Sequence, residues 1–337
     1  MKYDPSSTLR RPRNYGEKIE RFDTKATPAA VIKSVTDSIV ISFSKSVAIS
    51  TMTSATGFGV PQKYIIDKST PEFENLPMIE AKVLKQKFPK NLESIKCFDK
   101  LEEEIKSCRI RISPHPFEKG GVRLAYYGQQ IFVSEIGTTV TEQVIFKEFI
   151  KISVKPELDR LRYIVELETQ SIAAWLANRF NSVIERISNF PGIWIKFLQA
   201  KVCRIDVGDA HRFLFLEKQF KYGQHIKFTN NYNMVADPET LEEHGLEVLE
   251  LAVAFSHYTY ECTKGYLLVC DLQGIITKDE KKGRKTLLLT DPAIHCQAHN
   301  RFGHTNLKRR GFQGFFETHK CNQYCSALGI NGKKMME

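Results

Sequence analysis

An α+β fold, with a metal staple near its C-terminus, is what the sequence predicts, on three observations. Cys108–Ser113 (Cys-Arg-Ile-Arg-Ile-Ser) alternates as a strand does, and Leu267-Leu268-Val269-Cys270 is a short apolar run of the kind found in buried strands. Between them, Leu161, Ile164, Val165, Leu167, Ile172, Ala173, Leu176, Ala177 and Phe180 recur with a helical period and no proline, which predicts one long helix over 158–187. Last, His319, Cys321 and Cys325 form a His-x-Cys-x3-Cys cluster whose soft donors suit tetrahedral zinc. A helix over 312–325 would put Cys321 and Cys325 on one face. His257, in Phe-Ser-His-Tyr-Thr-Tyr-Glu, is the candidate fourth ligand, while a core packed with small apolar thiols is the alternative.

Taken in order, residues 1–95 read as a basic N-terminal extension, crowded with Ser and Thr from Ser34 to Thr56, with a weak strand alternation at Ile39, Ile41 and Phe43. Residues 96–330 read as the catalytic part and 331–337 as a tail. The stretch from Pro71 to Lys100 is expected to pack on the catalytic part. Gly120-Gly121 stands between strand-like runs, either as a hairpin turn or as a place where backbone amides approach phosphate. Lys147 lies within the apolar run Val144–Phe149, where it meets an anion or sits on a solvent-facing edge. Arg212–Phe220 reads as a buried strand. Asp271 ends the run Leu267–Cys270, and Gln273 shares its side if the backbone stays extended. Asp291-Pro292 is a turn that presents a carboxylate, preceded by a polar insert at 278–285.

Composition narrows the class. The chain has 337 residues, 42% hydrophobic and 26% charged, the balance of a protein with a full core. Its net charge of +10 is concentrated early, with 17 Lys and Arg against 11 Asp and Glu in residues 1–100, and no aromatic-and-basic motif accompanies it. Nucleic acid is therefore not an expected partner. No apolar run is long enough for a membrane span and no signal-peptide core is present, so the expected location is cytoplasmic. Eight cysteines without a framework point to thiols and metal rather than disulfides.

Five segments occur in a recognisable order: Phe255-Ser-His-Tyr-Thr-Tyr-Glu261, Leu268-Val-Cys-Asp-Leu-Gln-Gly274, Leu289-Thr-Asp-Pro292, Phe302-Gly-His-Thr-Asn-Leu307 and Phe315-Phe-Glu-Thr-His-Lys-Cys-Asn-Gln-Tyr-Cys325. The run closely resembles the atypical alpha-kinase family. The resemblance implies a two-lobed kinase-like fold with a zinc-stapled C-terminal lobe. It also implies an ATP-dependent serine/threonine protein kinase that acts on a protein substrate, and the Ser/Thr-dense composition of Ser34–Thr56 makes that stretch an expected site of autophosphorylation. An inactive scaffold or a zinc-containing binding module is the alternative.

By the same resemblance, Asp271 and Lys147 are the catalytic pair. Nucleotide contacts fall to Gly120, Gly121, Arg123, Lys147, Glu217, Gln273, Asp291 and Asn306, with Glu217 meeting the adenine. Gln273 and Asp291 hold Mg2+, and His257, His319, Cys321 and Cys325 hold Zn2+. Glu166 or Glu168 of the long helix is expected to pair with Lys147. Lys227-Phe-Thr-Asn-Asn231 matches a family loop only in part, and Lys308 replaces a usual glycine, at a cost of about 1 kcal/mol if that position needs positive φ. Lys308, Arg309 and Arg310 favour acidic or phosphorylated targets, or form a solvated loop.

Overall fold

The computed structural model describes residues 64–332 apart from 97–100, 152–155, 189, 191, 209, 221–222, 233–234, 238–240, 242–244, 279–282 and 299–300, together with 335. Ser34–Thr56, and the strand expected at Ile39–Phe43, lie outside the described residues. Strand β1 (Ile79–Gln86) is followed by the short helix α1 (Leu92–Lys96), then β2 (Glu103–Ile112), β3 (Glu118–Lys119), β4 (Arg123–Val133) and β5 (Thr139–Phe149). The long helix α2 (Pro156–Ile184) leads to β6 (Trp194–Phe197), β7 (Ala200–Val207), β8 (Ala210–Lys218) and β9 (Ile226–Lys227). Helix α3 (Gly245–Cys262) precedes β10 (Leu267–Cys270), β11 (Gln273–Lys278), β12 (Lys285–Thr290) and β13 (Ala293–Cys296). Helices α4 (Arg309–Thr318) and α5 (Gln323–Ala327) complete the order.

The first lobe is an antiparallel sheet in the order β2-β1-β7-β8-β5-β4-β3, and a further pairing of β2 with β4 closes it on itself. Alternation explains the closure: Ala81, Val83, Cys108, Ile110, Tyr126, Val144, Phe146, Cys203 and Leu214 point to one interior and are all buried. Gly128 permits the approach of β2 to β4, because a Cβ there would stand 2.3 Å from the Phe146 ring and 2.7 Å from the Arg111 carbonyl. β1 belongs to this sheet although it precedes residue 95, so the lobe starts earlier than the sequence boundary; its register with β2 runs from Ile79↔Ile110 to Gln86↔Glu103.

Helix α2 joins the lobes. Its first half packs Tyr163 and Leu167 on Leu84, Phe149, Val202 and Phe215, on the outer face of the sheet. Its second half, from Ile172 to Ile184, enters the largest core with Phe255 of α3 and Val269 of β10. That second lobe holds a four-stranded sheet, β6-β12-β11-β9, and the β10-β13 pair. The β11–β12 hairpin reaches as far as Lys278 opposite Lys285, the first and last residues of the polar insert. The expected helix over 312–325 is instead two: α4 ends at Thr318, and α5 starts afresh with Asn322 as its N-cap, accepting from the amides of Tyr324 and Cys325. The expected tail also packs, since Gly332 N–H donates to the Cys321 sulfur at 3.4 Å and Met335 touches the Tyr260–Phe312 cluster. No described helix is long and apolar enough to cross a membrane.

Candidate active site

Four charged side chains from distant parts of the chain meet between the lobes. Lys147, from β5, donates to Glu217 of β8 at 2.5 Å and to Asp291 at 2.7 Å. Arg123, at the start of β4, donates to the other oxygen of Asp291 at 3.0 Å. Alternation on β5 sets this geometry: Phe146 faces the interior of the sheet, so Lys147 faces outward, towards α2 and the second lobe. Burial alone would push the Lys147 pKa down, but Asp291 and then Glu217 reverse this and raise it. For Asp291, burial would raise the pKa, yet Arg123 and Lys147 hold it well below the usual carboxylate range. The pairs that Lys147 and Arg123 make with Asp291 are thus charged at neutral pH.

Glu217 is 2% exposed and saturated. Thr290 donates its hydroxyl proton at 2.6 Å, and Gln170 of α2 donates at 2.5 Å while also reaching the Leu198 carbonyl at 2.8 Å. The Glu217 carboxylate, expected to meet adenine, is here turned inward as the partner of Lys147. The helix glutamates are corrected too. Glu166 stands 3.7 Å from Arg123, and Glu168 binds Arg301 at 2.8 Å, so neither pairs with Lys147. Thr290 and Gln170 escaped the sequence reading, though Thr290 stands beside Asp291 in Leu-Thr-Asp-Pro.

Asp271 follows β10 with φ 55°, and Asp291 has φ 49°. Both lie in the left-handed region, where an aspartate is among the better tolerated side chains. The turn at Asp271 removes the extended backbone on which a shared side for Asp271 and Gln273 depended. Gln273 instead directs its amide nitrogen to the Asp291 carbonyl, 3.4 Å away. Asp271 forms an ion pair at 2.8 Å with Lys227, a residue to which the sequence assigned no role. Burial raises the Asp271 pKa, and Lys227 offsets only part of that rise.

The glycine pair makes a hairpin turn: Gly120 N–H donates to the Arg123 carbonyl at 2.8 Å, between β3 and β4. Nothing lies within 4 Å of a Cβ placed on Gly121, so the turn is open to a ligand. Asn306, expected as a nucleotide contact, acts here as a clamp on its own loop. Its oxygen accepts from Cys296 N–H at 2.9 Å and Lys308 N–H at 2.8 Å, and its nitrogen donates to the carbonyls of Cys296 and Arg301 at 3.0 Å each. Lys308 does adopt positive φ, 57° with ψ −140°, a conformation that favours glycine.

A second cluster lies behind α3. One donor atom from each of His257, His319, Cys321 and Cys325 falls within 4.8 Å of the other three. His319 Nε2 is 3.1 Å from His257 Nδ1, the Cys321 sulfur is 3.9 Å from His257 Nδ1, and the Cys325 sulfur is 3.6 Å from His319 Nε2. Bonds of about 2.1 Å to nitrogen and about 2.3 Å to sulfur give a zinc tetrahedron edges of about 3.3–3.8 Å. The donor set and its spacing fit that ion. Burial also lowers the His319 pKa to about 4, leaving its imidazole neutral, as a ligand must be.

The model of the alpha-kinase family matches residues 118–325. The alpha-protein kinase vwkA of Dictyostelium discoideum is 33% identical over 263 residues, covering 77% of this chain and 37% of the relative. Myosin heavy chain kinase B of the same organism is 29% identical over 221 residues, or 66% and 26% of the two chains. The chain therefore spans little more than a third of the length of these relatives at most. Among solved structures, an alpha kinase from Entamoeba histolytica superposes with a TM-score of 0.60 at 24% identity, covering 80% of this chain and 96% of that one. The AMP complex of the alpha-kinase domain of myosin heavy chain kinase A gives 0.56 at 21%, covering 76% and 100%.

The opposite displacements of the two aspartates have opposite consequences for stability. A carboxyl held low in the fold stabilises above its unfolded pKa, about 3.9, and loses that contribution as the pH falls. A carboxyl held high does the reverse, opposing folding once ionised. In thermal melts at pH 7, Asp291→Asn should melt below wild type and Asp271→Asn above it, and the Asp291→Asn deficit should shrink as the pH falls below about 3.9. Shifts of the same sign at pH 7 would refute this assignment of charge states.

Proposed function

The chain belongs to the alpha-kinase family, and on that premise we propose that it is an ATP-dependent protein kinase transferring the γ-phosphate to serine or threonine hydroxyls of a protein substrate. One observation carries the reading. A buried lysine and arginine share one aspartate, Asp291, beside a second aspartate, Asp271, whose partner is a half-exposed lysine. Such a set supplies each role that phosphoryl transfer needs: cations for phosphate, a base for the hydroxyl, and a carboxylate for metal.

Lys147 and Arg123 present N–H donors to phosphate oxygens, and the open Gly120-Gly121 turn leaves its backbone accessible beside them. Glu217, held by Thr290 and Gln170, fixes the Lys147 ammonium. Asp271 receives the proton of the acceptor hydroxyl while its oxygen forms the new bond to the γ-phosphorus and the bond to the β-bridging oxygen breaks, releasing ADP. Burial makes Asp271 a stronger base than an ordinary carboxylate. Lys227 orients the carboxylate and offsets negative charge as the hydroxyl proton leaves. Gln273 and Asp291 would hold magnesium, which when bound neutralises charge on the phosphate oxygens. His257, His319, Cys321 and Cys325 would hold zinc, a structural ion that ties α3 to the segment carrying α5.

Removing each group should separate these roles. Asp271→Ala is expected to abolish transfer with ATP affinity nearly unchanged, whereas Lys147→Ala should weaken both, as equilibrium binding and initial rates will show. Equal loss of binding and rate in Asp271→Ala would remove Asp271 as the base.

If the His/Cys donors bind zinc, their binding energy is folding energy, because they are distant in sequence. Elemental analysis of purified protein should give about one zinc per chain, and Cys325→Ala should lose the ion and melt lower. Zinc well below one per chain, or a variant melting like wild type, would reduce the cluster to packed core.

A further inference from the structure

His295 joins the strand before Asp271, the loop that follows Lys227 and the start of α4. Its ring is completely buried. Nδ1 accepts from Leu307 N–H at 3.2 Å, which fixes the proton on Nε2, and Nε2 donates to the Asn231 carbonyl at 2.8 Å. The same nitrogen lies 3.3 Å from the sulfur of Cys270, the residue before Asp271. Gly311 makes room for the ring, since a Cβ there would stand 2.2 Å from it. One imidazole therefore separates the backbone leading to Asp271 from the backbone leading out of Arg310. A second contact repeats the link one turn on, where a Cβ on Gly314 would be 3.7 Å from the Tyr232 carbonyl.

The surface over this junction is strongly basic. Lys308, Arg309 and Arg310 are exposed, and no acidic residue stands in the first turn of α4. Among the described residues, Arg309 and Arg310 have no ion-pair partner. Lys227 adds a side chain 52% exposed on the Asp271 side, and Tyr232, 65% exposed, sits where its carbonyl faces Gly314 of α4. Phosphate groups of a nucleotide would be met by the buried Lys147 and Arg123, so the charge of these outer side chains is left for something else.

We propose that Lys227, Tyr232, Arg309 and Arg310 form the acceptor-binding strip of this chain, and that it selects hydroxyls flanked by acidic residues. The proposal rests on the kinase reading above. Tyr232 offers an apolar ring for the peptide to lie on, and the two arginines supply forked donors for carboxylates. The His295 ring bridges the Cys270 sulfur and Gly311, so a few extended residues of a bound peptide span from Asp271 to the arginines. The acid that matters therefore stands about three positions to one side of the acceptor.

The test uses the full chain with magnesium and ATP, and serine peptides carrying Glu, Ala or Lys three positions to either side of the acceptor. Wild type should favour one Glu peptide over its Lys counterpart by about tenfold in kcat/KM, mostly through KM. Arg309→Glu with Arg310→Glu should reverse that order. Equal use of Glu and Lys peptides by wild type, or an unchanged preference in the double variant, would overturn the strip while leaving the kinase assignment standing. No transfer to any peptide together with no ATP binding would remove both.

Discussion

Lys147, Arg123, Glu217 and Asp291 form a buried charge cluster, and the two lobes are registered through it. Two cations and two anions are taken largely out of water, so each depends on the others to offset its desolvation, and losing one leaves an uncompensated charge. The cluster has unequal halves. Glu217, 2% exposed, is held by Thr290 and Gln170 as well as Lys147, and Gln170 ties it to α2 and to the Leu198 carbonyl. Asp291, with a side chain 21% exposed, is held through its carboxylate by Lys147 and Arg123 alone among the described residues. Phosphate entering the cleft would therefore compete with Asp291 rather than with Glu217, leaving Lys147 anchored and freeing a carboxylate for a metal ion.

Backbone strain falls on both aspartates of this cleft and on the loop that leads to α4. Asp271, Asp291, Phe302 and Lys308 all have positive φ, from 49° to 61°. Strain of this kind persists where surrounding structure over-determines it. For Asp271 and Asp291 it turns a carboxylate out of a strand end, which an extended residue would not do. For Lys308 the four hydrogen bonds of Asn306 supply the constraint, one of them to the Lys308 amide itself. That clamp sets the direction in which α4 leaves and hence where its basic residues point.

Features of short sequence range were legible. The period from Leu161 to Phe180 marks α2 to within a few residues of its observed ends, and Leu267–Cys270 is a buried strand. The four His and Cys donors converge although the helix expected to align two of them is broken. Asn322 held the signal for that break, since an asparagine before Gln-Tyr-Cys is a good N-cap. What the sequence hid is long-range pairing. Lys147 meets Asp291 across 144 residues and Glu217 across 70, and no local period distinguishes those acids from Glu166 or Glu168. The early start of the sheet was hidden likewise, because β1 is defined by its partners β2 and β7 rather than by its own composition.

The exchange of Asp291 for phosphate is the claim on which the proposed chemistry turns, and equilibrium binding of ATP to wild type and Asp291→Asn, with and without magnesium, tests it most directly. Freed of its carboxylate, the Lys147–Arg123 pair should bind metal-free ATP more tightly in the variant than in wild type, and magnesium should no longer improve that affinity. Metal-free binding that is unchanged or weaker in Asp291→Asn would contradict the account.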